Sequence, residues 1–130
     1  MRSEREITSI DLNNGKINWQ VPFGEYEELS KQNIPITGTI NYGGVTATDG
    51  NLVFATGTID KKVRAFNSQN GTEVWSYKMD FSGSSPPTIF EFKDEQYILV
   101  VSTGSQTMKA QFPDQTEFGN KIYLFKLRTN

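Results

Sequence analysis

The sequence predicts an all-β chain, a partial β-propeller of about two blades of four-stranded antiparallel sheet. Three observations predict it. The segment Ile7-Thr-Ser-Ile-Asp11-Leu-Asn-Asn14-Gly15-Lys-Ile-Asn-Trp19 recurs as Val63-Arg-Ala-Phe-Asn67-Ser-Gln-Asn70-Gly71-Thr-Glu-Val-Trp75, with the two tryptophans 56 residues apart. Each copy reads as strand, tight turn, strand: apolar positions alternate, and an Asn-Gly pair tolerates the positive φ of a hairpin turn. The stretch 43–78 holds four short β-like runs separated by turn residues. A unit of this kind cannot bury both faces by itself, so the repeat means β units stacked or arranged radially, with chemistry where many units converge.

Taken in order, residues 6–12 and 17–23 make the first hairpin, with Ile7, Ile10 and Leu12 apolar, Asn14-Gly15 at the turn, and Trp19 and Val21 beyond it. From Gly24 to Thr39 the alternation gives way to a long connection with one helical turn near Glu25–Lys31, then Pro35 and Gly38. Strands follow at 44–48, 51–57, 62–67 and 73–78, linked by Asp49-Gly50, Ile59-Asp60-Lys61 and Asn70-Gly71. The polar connector Ser82–Pro87 leads to a hairpin at 88–92 and 96–102 around Lys93-Asp94-Glu95, a polar excursion from Gly104 to Asn120, and a final strand at 121–127. The whole of 1–130 reads as one C-terminal propeller fragment: 6–23 ends one blade, 43–78 is a full blade, and 86–127 gives three strands of a last blade. Such an offset is what a C-terminal arc retains when a strand from the N-terminus completes the last blade. The open sheet edges of such an arc favour self-association with another copy.

Composition narrows the function. At 130 residues, 35% hydrophobic and 22% charged, the chain suits an ordinary folded core. The net charge is −2 and the thirteen Lys and Arg are scattered, so nucleic acid is not expected as a partner. No run approaches the length of a membrane span, and Met1-Arg-Ser-Glu-Arg-Glu6 lacks the apolar core of a signal peptide. Cysteine is absent, which removes disulfides and thiolate metal sites. Histidine is absent too, which removes the usual general base, the Ser-His-Asp triad and most zinc sites.

The two repeat copies resemble the tryptophan-docking motif of the pyrroloquinoline-quinone-dependent dehydrogenases, Ala-x-Asp-x-x-Thr-Gly-x-x-x-Trp. Ser9, Asp11, Asn14, Gly15 and Trp19 stand at its positions in the first copy, and Ala65, Asn67, Asn70, Gly71 and Trp75 in the second. The stretches from Ile17 to Tyr26, Thr37 to Gly44, Leu52 to Thr58 and Val63 to Phe66 are similar to the C-terminal blades of the quinoprotein glucose dehydrogenase-like branch. The resemblance implies an arc of an eight-bladed propeller whose axis holds pyrroloquinoline quinone and calcium. It implies oxidation of a sugar or alcohol, electron transfer to a quinone or cytochrome, and a periplasmic or envelope-associated setting.

In that family the catalytic and metal-binding residues lie on earlier blades, so no catalytic and no metal residue is expected here, and no cofactor is expected on this fragment alone. The partners implied are the remaining blades of a parent chain and its substrate. Asn41, Tyr42, Gly43 and Gly44 stand where the family brings an innermost strand close to the quinone. A glycine pair suits such an approach, and suits a tight strand start equally well. The excursion from Gly104 to Gly119 is longer and more polar than the family's short Gly-rich loop.

Plainer readings accompany these. Trp19 and Trp75 are expected to clasp neighbouring units rather than stack on a cofactor. Asp11 is expected to hold its own turn. Tyr42 lines a central pocket or belongs to the core. Lys61-Lys62 and the Glu91–Glu95 tip read as solvated turns, and Lys109 as a solvated lysine. Asn70-Gly71-Thr72 matches a glycosylation pattern that the hairpin turn already explains. The alternative function is a non-catalytic propeller that binds proteins with its rim.

Overall fold

The computed structural model describes residues 5–128. Residues 1–4, which carry much of the reading of a start without a signal-peptide core, lie outside the described residues, as do 129 and 130. Nine strands form three antiparallel sheets among the described residues. The first sheet pairs β1 (Glu6–Asp11) with β2 (Lys16–Pro22). The second runs β3 (Asn41–Ala47), β4 (Leu52–Thr58), β5 (Lys62–Asn67), β6 (Glu73–Lys78) in chain order. The third runs β7 (Thr88–Phe92), β8 (Glu95–Ser102), β9 (Lys121–Lys126). This is the expected partial propeller, with a four-stranded sheet in the middle.

The middle sheet is covered on both sides. Phe54, Val63, Ala65 and Met79 pack with Ile98 and Val100 of the third sheet, and Ala55 and Phe66 pack with Ile7 and Phe23 of the first. Alternation produces this, because successive strand residues face opposite sides, so β4 and β5 give one residue to each core in turn. Full burial of a side chain the size of Phe54 or Ile98 stabilises the fold by about 1.5–3 kcal/mol.

The two repeat copies fold into the same hairpin turn. Asp11 Oδ1 accepts from the Asn13 N–H at 2.8 Å, and Asn67 Oδ1 accepts from the Gln69 N–H at 2.8 Å. Gly15 and Gly71 adopt φ of +71° and +74°, and their N–H groups donate to the carbonyls of Asp11 and Asn67. An Asx side chain opening the turn and a glycine in the left-handed region are what this turn requires. Asp11 therefore holds its turn, as read from the sequence.

Trp19 also clasps as expected. Its indole N–H donates to the Ser68 carbonyl at 2.8 Å, and its ring covers Gly71, where an added Cβ would stand 2.6 Å from the ring. The first sheet is thus docked on the repeat turn of the second. Trp75 packs edge-on against Phe125 of the third sheet at 5.1 Å, so it too bridges two sheets.

Two elements differ from the sequence reading. The strand predicted at 44–48 starts at Asn41, because Asn41 pairs with Thr58 and Gly44 with Thr56, leaving one residue too many on β3. That surplus is a β-bulge, which breaks the alternation that marks a strand. The 104–120 excursion contains a helix, α2 (Gln106–Gln111), capped by Ser105, whose hydroxyl accepts from the Met108 N–H, and anchored by buried Met108. The predicted helical turn near 25–31 is present as α1 (Glu27–Ser30). No helix among the described residues is long and apolar enough to cross a membrane.

Candidate functional site

The second and third sheets are spaced unequally from one side to the other. On the β3 side the second and third sheets touch through small groups: Gly44 abuts Pro86, the Thr46 hydroxyl donates to the Pro87 carbonyl at 2.6 Å, and Thr56 fills the space that a side chain at Gly83 would need. On the β6 side the gap is wide enough to need Trp75, Tyr77, Tyr123 and Phe125, whose rings meet edge-on or tilted at 5.1–5.7 Å. Sheets that converge at β3 and diverge at β6 put β3 nearest the axis, where a propeller has its central channel.

Asn41, Tyr42, Gly43 and Gly44 are contiguous and open β3. Glycine at 43 is fixed by the chain's own packing: an added Cβ would lie 2.3 Å from the Thr56 carbonyl oxygen, and Gly57, at φ +98°, presses back on Gly43. An added Cβ at Gly44 would lie 2.8 Å from Pro86. The bulge thus exists because three glycines let two backbones meet. Tyr42 is exposed rather than part of the core, and its hydroxyl accepts from the Gln111 side-chain amide at 2.9 Å. The segment offers a ligand a carboxamide, a phenol and an aromatic face.

A charged network that the sequence reading missed lies at the same end of the sheet. Asp60, in the turn before β5, has a fully buried side chain. It accepts from the Arg64 guanidinium at 2.5 and 3.1 Å, the Thr58 hydroxyl at 2.6 Å, and the backbone N–H groups of Glu25 at 2.9 Å and Lys62 at 3.1 Å. Burial alone would raise the Asp60 carboxyl, but the hydrogen bond and charge of Arg64, helped by Thr58 and the Glu25 N–H, outweigh it and hold the group below its ordinary 3.8. Lys62 pairs with Glu25, and Arg64 lies 3.5 Å from Glu73 and over the Phe23 ring. The network joins the first connection to the middle sheet. One signal was available: Arg64 sits inside the apolar run Val63–Phe66, and a buried guanidinium needs a counter-charge.

Three lysines read as solvated are therefore tied down. Lys62 bonds Glu25, Lys61 lies 3.6 Å from Glu117, and Lys109 Nζ donates to the carbonyls of Pro113 and Thr116 at 2.6 and 2.8 Å. The cause is the same each time: a long connection folds back over the turn and supplies acceptors no local pattern reveals. At the Glu91–Glu95 tip, Glu91 is exposed, while Glu95 pairs with Lys126 at 2.5 Å. Among the described residues, no group of three or more Asp or Glu is arranged to hold a metal ion.

A protein-family model described as "PQQ: Glucose/ethanol/alcohol dehydrogenase, beta-propeller domain" matches residues 5–98. The chain belongs to that family. Among curated relatives of this PQQ propeller chain, the glycerol dehydrogenase large subunit of Gluconobacter thailandicus is 31% identical over 84% of the chain and 16% of its own length. A probable quinate dehydrogenase (quinone) of Xanthomonas campestris pv. juglandis is 34% identical over 86% and 15%. The crystal structure of quinohemoprotein alcohol dehydrogenase from Comamonas testosteroni superposes with a TM-score of 0.63 at 18% identity, over 93% of this chain and 16% of that one, a likeness of fold. The PQQ propeller chain thus spans about a sixth of the length of the curated relatives it matches.

Proposed function

We propose that this chain is an arc of the propeller wall of a quinoprotein dehydrogenase that oxidises a sugar or alcohol and passes the electrons to a quinone or cytochrome. The observation that carries this reading is the convergence of the family match with the position of Asn41–Gly44 on the innermost strand. The substrate class is a hydroxylated carbon compound, in keeping with the glycerol and quinate named for two relatives. The remaining blades of a parent chain are its partners, and the periplasm or envelope its setting.

The residues present fit the quinone as one wall of its site. Asn41 supplies a carboxamide and Tyr42 a phenol ring, beside the bulge that Gly43 and Gly44 make possible. The bound quinone supplies the two-electron acceptor. What this chain does is brace: the Trp19 clasp docks the first hairpin on the β5–β6 turn, and the Asp60–Arg64 pair ties the turn before β5 to β5 and to the first connection. The reading assigns calcium and its ligands to the remaining blades of the parent chain.

The test is reconstitution of the natural full-length protein with pyrroloquinoline quinone and calcium. Dye reduction that depends on both, with the absorbance of bound quinone, is the expected result. A folded full-length protein that takes up no quinone would be the protein-binding propeller instead.

A further inference from the structure

The 104–120 excursion belongs neither to the repeat nor to the blade pattern, yet it is built as a rigid arm. Its neck is closed by the Gly104 N–H donating to the Ser82 carbonyl at 2.9 Å and the Gly119 N–H donating to the Thr103 carbonyl at 3.2 Å. Inside it, Met108 is buried, Ser105 caps α2, and Lys109 gathers the Pro113 and Thr116 carbonyls. The arm reaches β3 through one polar contact, Gln111 to Tyr42, and is held to the turn before β5 by Lys61 and Glu117.

Tyr42 needs such a contact. It falls in the bulge between the pairs Asn41–Thr58 and Gly44–Thr56, so no ladder partner fixes its orientation, and its ring is exposed. The sole hydrogen bond of its hydroxyl among the described residues comes from Gln111. We infer that Gln111 is a positioning residue: through it the arm sets the Tyr42 ring at the mouth of the axial channel and shapes the passage a sugar or alcohol takes to the cofactor. This rests on the function proposed above and deepens it, since it assigns substrate selection to an arm the repeat does not explain.

The test is a double-mutant cycle in the full-length, quinone-loaded protein. Gln111→Ala and Tyr42→Phe delete the same bond, so each is expected to raise KM by about three- to tenfold, the scale of one net hydrogen bond, and the double variant no further. Gln111→Ala leaves kcat nearly unchanged, and Gln111→Glu, which accepts from the tyrosine hydroxyl, restores KM. Unchanged KM in the single variants, additive losses in the double, or a fall in kcat alone overturns the inference. Bound-quinone absorbance is read first, and its absence sinks the proposed function and with it the role in substrate passage. The tether is then judged separately by trypsin cleavage after Lys109: equal acceleration in both singles and the double supports it, and additive acceleration refutes it.

Discussion

Gly15 and Gly71 occupy the same position in the same turn, at nearly the same φ, and differ in one respect: nothing stands within 4 Å of an added Cβ at Gly15, whereas the Trp19 ring lies 2.6 Å from one at Gly71. Gly15→Ala is expected to cost about 1 kcal/mol, the strain of a left-handed alanine. Gly71→Ala adds the displacement of the indole, about 1–3 kcal/mol more. Urea unfolding of the two variants checks the difference, and equal losses would mean that Trp19 does not rest on the turn. Asp60 carries a pH prediction. Its folded pKa lies below the ordinary 3.8, so its pairing stabilises the fold fully above that value and is lost as pH falls through the depressed one. Asp60→Asn, which leaves Arg64 buried beside a neutral group, should cost about 3 kcal/mol at neutral pH and flatten the fall in stability below about pH 4. An unchanged acid limb in denaturant titrations from pH 2 to 7 would remove Asp60 as its source.

The strands were legible because alternation is strong where one face is buried, as in Trp19 and Val21 against Asn18 and Gln20, and because Asn-Gly turns declare themselves. The bulge was not legible: Gly43 reads as a strand start, and only its partner Gly57, fourteen residues on, explains it. Nor was α2, whose Ser105 cap lacks the acidic residue that completes a capping box and whose single apolar anchor is too little for a helical period. The four predicted site residues came together because they are contiguous, while the Gln111 contact joins residues 69 apart and has no local signature. Between elements, the clasp is the sharpest claim. Trp19→Phe keeps a smaller aromatic ring and loses the bond to Ser68, about 1–2 kcal/mol, while Trp19→Ala should cost about 3 kcal/mol and loosen the first hairpin ahead of the rest. Hydrogen exchange of β1 and β2 amides reads this directly, and protection equal to wild type would contradict it.

At the scale of the whole molecule, the three sheets carry unequal strand numbers, two, four and three, and both outer sheets present uncovered apolar groups. Ile10 on β1 and Ile17 on β2, and Ile122 and Leu124 on β9, are each more than half exposed. In a closed ring, neighbouring blades cover such positions, which supports the proposal that this chain is an arc of a larger propeller. The most direct test is the mass of the natural protein, read with an antibody raised against this chain on an extract of the source cells. The account predicts a band several times larger than 14.7 kDa. A band at 14.7 kDa would contradict it, and would make a short protein that assembles with its own copies the better description.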